Sequence, residues 1–275
     1  MGDHVVCKQP TANPCLSAYD KYNPIPSRGW KSTPTHLVVV PEVRASLYSM
    51  FRPSRVAIWW LAVDNAYHAS SKLRDKGFHD QFFADTELIH FCPTQYARTA
   101  IGKSGAERPY LLSDYTDDQF TTWRSRQPNK GLGIAYNPKK GAALAAEFFL
   151  RHPDLKAQAI AGLTRRDVWC TFRETLLYVD FSHFPGRECM PREAAGSGCT
   201  IFIHNRGAAA YYYDYPIPNY YRFSTEDVGS GSLYRRIRAA LDEPSVTWND
   251  QAAFRQLVRG EKSVFFKQVA DILGR

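Results

Sequence analysis

The 275-residue chain predicts an α+β fold, predominantly helical, with a small antiparallel β-sheet at about residues 170–225. Three observations predict it. Apolar residues recur at helical spacing from Ser54, and helical patterns return after Gly141 and Gly229. Between about 170 and 225 the pattern changes to short aromatic or β-branched runs, TLLYVDF, CTIFIHN, AAAYYYDY and NYYRFS, separated by Gly, Pro and Asn. Apolar residues at 44% and charged residues at 23% are ordinary globular usage, in a chain long enough to bury a core without disulfides.

Residues 1–35, rich in Pro, Asn, Ser and Lys, read as an extended N-terminal arm. Residues 36–275 then form a single globular domain, with a sub-boundary near 164–170 where the pattern changes. THLVVV at 35–40 is a short buried strand or a helix lead-in, stopped by Pro41. Val56, Trp59, Trp60, Val63 and Tyr67 follow i, i+3, i+4 spacing and Gly77 stands as a C-cap, so a helix of roughly 20 residues is expected from Ser54. HDQFFADTELIHF continues as a shorter helix, and residues 92–115 read as a long loop whose IGKSG lacks the full phosphate-loop pattern. Thr116, with Asp117 and Asp118 on the positive end of the dipole, opens a helix to about Arg126. Residues 141–151 are helical, Pro153 begins a second helix ending near Gly162, and Thr164-x-x-Asp167 opens another. After Gly229, Leu233, Ile237, Ala240 and Leu241 form one stripe. Asn249 then caps a helix carrying Phe254, Leu257 and Val258, and Ser263 opens a last one carrying Phe265, Val269 and Ile272.

The longest apolar run, VAIWWLAV at 56–63, is far too short to cross a hydrocarbon core. The N-terminus lacks a basic and an apolar signal region, and Val6 departs from the myristoylation pattern after Gly2. The default location is therefore cytoplasmic, with secretion as an effector by a route that reads no cleavable signal left open. A net charge of +8 and a pI of about 9.2 favour acidic partners such as nucleic acid, anionic lipid or wall polymer. The 27 acidic residues interleaved with 35 basic ones weaken the case for nucleic acid. Cys7 and Cys15 bracket a segment that closes as a disulfide loop only outside a reducing cytosol.

The densest chemistry lies in HFPGRECMPREAAGSGCTIFIHN, residues 183–205. In one reading, His183 ends a strand and Cys199 begins its antiparallel neighbour, bringing an imidazole to a thiol. Cys199 is then the nucleophile, His183 its base and Asp180 or His204 the orienter, with Gly-Ser-Gly amides facing an oxyanion. Arg187, Arg192 and Arg206 lower the thiol pKa or hold a carboxylate. The reaction class is acyl transfer or amide hydrolysis on a peptide-like, anionic substrate. The His183-Phe-Pro-Gly186 and Gly198-Cys199 spacing is similar to the L,D-transpeptidase family, although that family's second histidine and the arginine after its cysteine are absent here.

In a second reading His183, Cys189, Cys199 and His204 hold zinc, spaced H-x5-C-x9-C-x4-H with Cys170 in reserve. A plainer reading makes Cys170 and Cys199 small buried hydrophobes and Cys189 a loop residue. The run YYYDYPIPNYY puts Tyr211, Tyr213 and Tyr215 on one strand face. With Arg206 and Arg222 nearby, that face would make a non-catalytic module for nucleic acid, glycan or a protein partner, or else a buried aromatic sheet.

Overall fold

A computed structural model describes residues 31–121 and 132–274. The arm read over residues 1–35, the Cys7/Cys15 loop and the end of the helix expected after Thr116 lie wholly or largely outside the described residues. What is described contains two parallel sheets, not one antiparallel sheet in a helical body. The first holds β1 (Leu37–Pro41), β2 (Arg55–Trp59), β3 (Ile89–Cys92) and β4 (Tyr110–Leu111) in that order. The second holds β5 (Leu132–Tyr136), β6 (Ala157–Ala159), β7 (Thr175–Asp180), β8 (Thr200–His204) and β9 (Arg222–Phe223) in the order β6-β5-β7-β8-β9. Every strand pair is parallel.

Helices connect the strands, as parallel neighbours require. In the first half these are α1 (Val63–Ala69), α2 (Ser71–Arg74), α3 (Lys76–Ala84) and α4 (Gln95–Lys103). The short α5 (Asp118–Thr121) lies between the sheets in sequence. The second half has α6 (Ala142–Arg151), α7 (Arg165–Glu174), α8 (Cys189–Gly196), α9 (Thr225–Gly229), α10 (Ser232–Asp242) and α11 (Pro244–Asp250). The chain closes with α12 (Ala252–Leu273).

The helix expected from Ser54 is instead strand β2 followed by α1. Val56, Ala57 and Ile58 are wholly buried, because a strand with helices on both faces reads as a continuous apolar run with no alternation. The same effect hid β3 inside an expected helix, while β6, a three-residue edge strand of half-buried residues, was too short to break the pattern of another. The expected loop over 92–115 contains α4 and β4, with Thr94 Oγ accepting the Ala97 N–H as the cap. Helix α6 falls where the alanine spacing places it, and Thr164 and Asp167 form a reciprocal capping box on α7. AAAYYYDY forms a 3-10 turn at Ala208–Ala210 and further turns, not a strand.

Each sheet has its own core, around Trp60 and Phe82 in the first half and around Tyr178 and Phe202 in the second. Helix α12, expected as two helices, runs unbroken for 22 residues, about 33 Å at 1.5 Å per residue. Phe254 and Val258 lie in the second core, while Phe265 stacks on Trp59 of the first sheet at 6.4 Å, so this one helix spans both halves.

Candidate functional site

Strand order in the second sheet reverses at β5: the chain goes outward to β6, then returns to build β7 on the other side. At such a switch point the loops leaving the two strands part in opposite directions and open a crevice at the carboxyl ends. The loop after β5 contains Lys140 and Gly141, and the loop after β7 contains Ser182 and His183. All four line a cavity of about 320 Å³, closed from the other side by Asp64, Asn65 and His68 of α1, which follows β2 of the first sheet. The cavity therefore lies between the two halves.

Local sequence shapes each wall. Asn137 Oδ1 accepts the Lys139 N–H at 3.0 Å, turning the Asn-Pro-Lys-Lys segment. Gly141 (φ 70°) opens α6, and a Cβ there would lie 2.3 Å from the Phe181 carbonyl oxygen. No side chain among the described residues caps α6, so its first amides and the positive end of its dipole are left without helical partners. Lys140 Nζ pairs with Glu188 at 2.6 Å.

Across the cavity His183 Nε2 lies 2.5 Å from Asp64 Oδ2, and the Tyr96 hydroxyl donates to the same carboxylate at 2.8 and 2.9 Å. Burial, and then the Asp64 carboxylate, push the Tyr96 phenol well up, so it stays a donor. Both Asp64 and His183 remain about one-third exposed, at 32% and 38%. Beneath them Asp180 is buried, accepting from the Tyr178 hydroxyl at 2.7 Å, the Ser182 N–H at 2.9 Å and the Ser182 hydroxyl. Burial raises the Asp180 carboxyl above its ordinary 3.8, against the lowering by those hydrogen bonds. Asp180 thus shapes the turn that presents His183.

The halves touch beside this cavity. Gly186 bridges Ala62, and a Cβ on Gly186 would sit 1.8 Å from the Leu61 carbonyl oxygen. Asp214 of the second half accepts the Gln95 and Tyr96 N–H groups at 2.7 and 3.0 Å, capping α4 of the first. Arg192, 1% exposed, donates to Asp114 at 2.8 Å and Glu261 at 2.9 Å, tying α8 to α12 and to the segment after β4.

The expected Cys/His pair is not assembled. Cys199 precedes β8 and His183 follows β7, and because the strands are parallel these are opposite ends of the sheet. The buried Cys199 Sγ instead meets the Phe172 and Thr175 carbonyls at 3.2 and 3.3 Å. The same separation undoes the zinc set of His183, Cys189, Cys199 and His204: no group of three or more candidate ligands converges among the described residues. His204 Nδ1 lies 3.2 Å from the Phe181 carbonyl, and burial lowers its pKa.

The expected tyrosine face does not exist as a face. Tyr215 is buried, Tyr213 is 83% exposed and Tyr211 packs edge-on against Tyr96. Arg222 is buried against the Tyr215 carbonyl at 2.5 Å, Arg187 pairs with Glu261 at 2.9 Å, and Arg206 is exposed. Asp64, Tyr96, Lys140 and Gly141 were missed as site residues. The available signal was GIAYNPKKGAALAAEFFL, a strand, a Gly-ended turn and a helix in sequence, which is the phosphate-side half of a βα unit.

No protein-family model matches the chain, and no curated protein matches it in sequence. Solved structures do match in fold. They include a trehalose-6-phosphate protein from E. coli bound with UDP-2-fluoro glucose, with a TM-score of 0.55, 9% identity, and coverage of 84% of this chain and 72% of that one. A sucrose-phosphate synthase from Thermosynechococcus elongatus superposes with a TM-score of 0.59 and 11% identity over 86% of this chain and 73% of that one. An alpha,alpha-trehalose-phosphate synthase (UDP-forming) from Burkholderia vietnamiensis gives 0.57 and 12% over 88% and 75%. The fold shared with them is Rossmann-like α/β, two all-parallel sheets with helices. At these identities the likeness is one of architecture. It overturns the expected α+β class, and the neighbours include sucrose-phosphate and trehalose-phosphate synthases, not cysteine acyl transferases or hydrolases. A non-catalytic binding module is not supported either. Among the described residues no helix is long and apolar enough to cross a membrane.

Proposed function

We propose that this chain transfers a glycosyl group from a nucleoside-diphosphate sugar to an acceptor hydroxyl in the cleft between its two sheets. The observation that carries the reading is the cavity at the β5/β7 switch point, with Lys140 and the uncapped start of α6 on one wall and the Asp64–His183 pair on the other. A helix start and a lysine together suit a diphosphate, whose charge grows as the bond from the anomeric carbon to the phosphate oxygen breaks. Lys140 exchanges its single carboxylate partner, Glu188, for that leaving group. The acceptor oxygen bonds to the anomeric carbon as the phosphate departs, and its proton passes to the Asp64–His183 pair, which faces the same space. The similarity to structures that include one bound with UDP-2-fluoro glucose supports the donor class.

Calorimetric titration of the full chain with UDP, GDP and ADP tests this. Binding of one of them, weakened about tenfold or more by Lys140→Ala with an unchanged melting temperature, is the expected result. Binding of none overturns the reading.

A further inference from the structure

A second cavity lies at the other end of the first sheet, by the amino-terminal ends of β3 and β4. It measures about 500 Å³ and is bounded by the end of α3, the start of β3 and the loop over 105–110. His90 of β3, only 3% exposed, forms its inner end. The imidazole lies beside both Trp60 and Phe83, with ring centroids 5.9 and 5.6 Å away, and those two rings are 5.9 Å from each other. The Trp60 indole N–H donates to His90 Nδ1 at 3.0 Å. An indole nitrogen only donates, so Nδ1 accepts and the ring proton of neutral His90 sits on Nε2. Burial pushes the imidazole down to about 4, which keeps it neutral at physiological pH.

Among the described residues Nε2 has no hydrogen-bond partner, and it is not one of the unpartnered atoms sealed from solvent. Its N–H therefore opens on the cavity that His90 lines, a buried donor waiting for an acceptor. Phe83 and Tyr110 supply aromatic wall, and the exposed Thr86, Glu107 and Arg108 stand at the mouth. Asp85 is already engaged by Arg52 at 2.7 Å.

We propose that this cavity is a second binding site, separate from the cleft, for a neutral polyhydroxylated ligand of the mono- or disaccharide class. A sugar hydroxyl accepts from His90 Nε2–H at the inner end, and other hydroxyls donate to Glu107 and Thr86 at the mouth. The C–H face of a sugar suits the aromatic wall. Asp85 and Glu87 both take up Arg52, Glu107 offsets Arg108, and an uncharged His90 adds nothing to hold an anion. The volume is that of a small-ligand site. Because the site is remote from Lys140 and His183, its test is independent of the donor reading.

Imidazole ¹⁵N–¹H spectra of the full chain, with His90 assigned by His90→Gln, should show the proton on Nε2. Titration with glucose and with maltose should move that signal saturably. The Thr86→Ala/Glu107→Ala double variant, at an unchanged melting temperature, should weaken the response about tenfold. A proton on Nδ1, a signal unmoved by both sugars, an equal response in the double variant, or a response to sulfate alone would each overturn the proposal.

Discussion

His183 Nε2 lies 2.5 Å from Asp64 Oδ2, so a residue leaving the second sheet is joined to one leaving the first across the cavity between them. Both side chains are about one-third exposed, so solvent screens the pair and its worth to stability is at most about 1 kcal/mol. Under the proposed reaction its worth to proton transfer is larger. Asp64→Asn should change the urea midpoint little while lowering glycosyl transfer about 100-fold or more. Equal losses of stability and activity would place the pair in the scaffold alone.

Gly186 lies against the Leu61 carbonyl with no room for a methyl group. Gly186→Ala must push apart the segment that carries Asp64 and the one that carries His183. The expected outcome is weaker nucleotide binding together with a lower melting temperature, whereas Gly229→Ala, which meets nothing within 4 Å, should leave binding unchanged. Calorimetry on both variants decides it.

Cys199 is a packed thiol at the amino-terminal edge of β8. Cys199→Ala should cost about 1–2 kcal/mol, as a small cavity in a close-packed core does, and leave turnover per folded molecule unchanged. Loss of turnover in a folded protein would restore the thiol to the chemistry.

His90 sets a pH dependence of stability. Its folded pKa, about 4, lies below the ordinary 6.5, so between these values the unfolded chain binds the extra proton. Stability is therefore full above about pH 6.5 and falls as pH drops toward 4, by about 3 kcal/mol in all. Urea melts at pH 7 and pH 4.5 should show this loss, and His90→Phe should flatten that part of the slope.

Particular elements show where the sequence could be read. The capping box at Thr164 and Asp167 and the alanine spacing of α6 were legible because caps and helical faces are local. β7 and β8 were legible as strands because their β-branched and aromatic runs end in turn residues. β2 was not, since Val56, Trp59, Trp60 and Val63 satisfy helical spacing while a fully buried strand imposes no spacing of its own. Lys140 was visible only as half of a basic pair, and Asp64 had no motif at all.

By itself the sequence determined a folded, basic, aromatic-rich chain, with caps, turns and several strands in place. Tertiary structure decided strand direction, and with it which residues share the cleft. Had β7 and β8 been antiparallel, His183 and Cys199 would share one end; being parallel, the carboxyl ends gather His183, Lys140 and, from the other sheet, Asp64. Direction depends on where each connection crosses, a long-range choice governed by helices packing on both sheet faces, and no local run of residues encodes it.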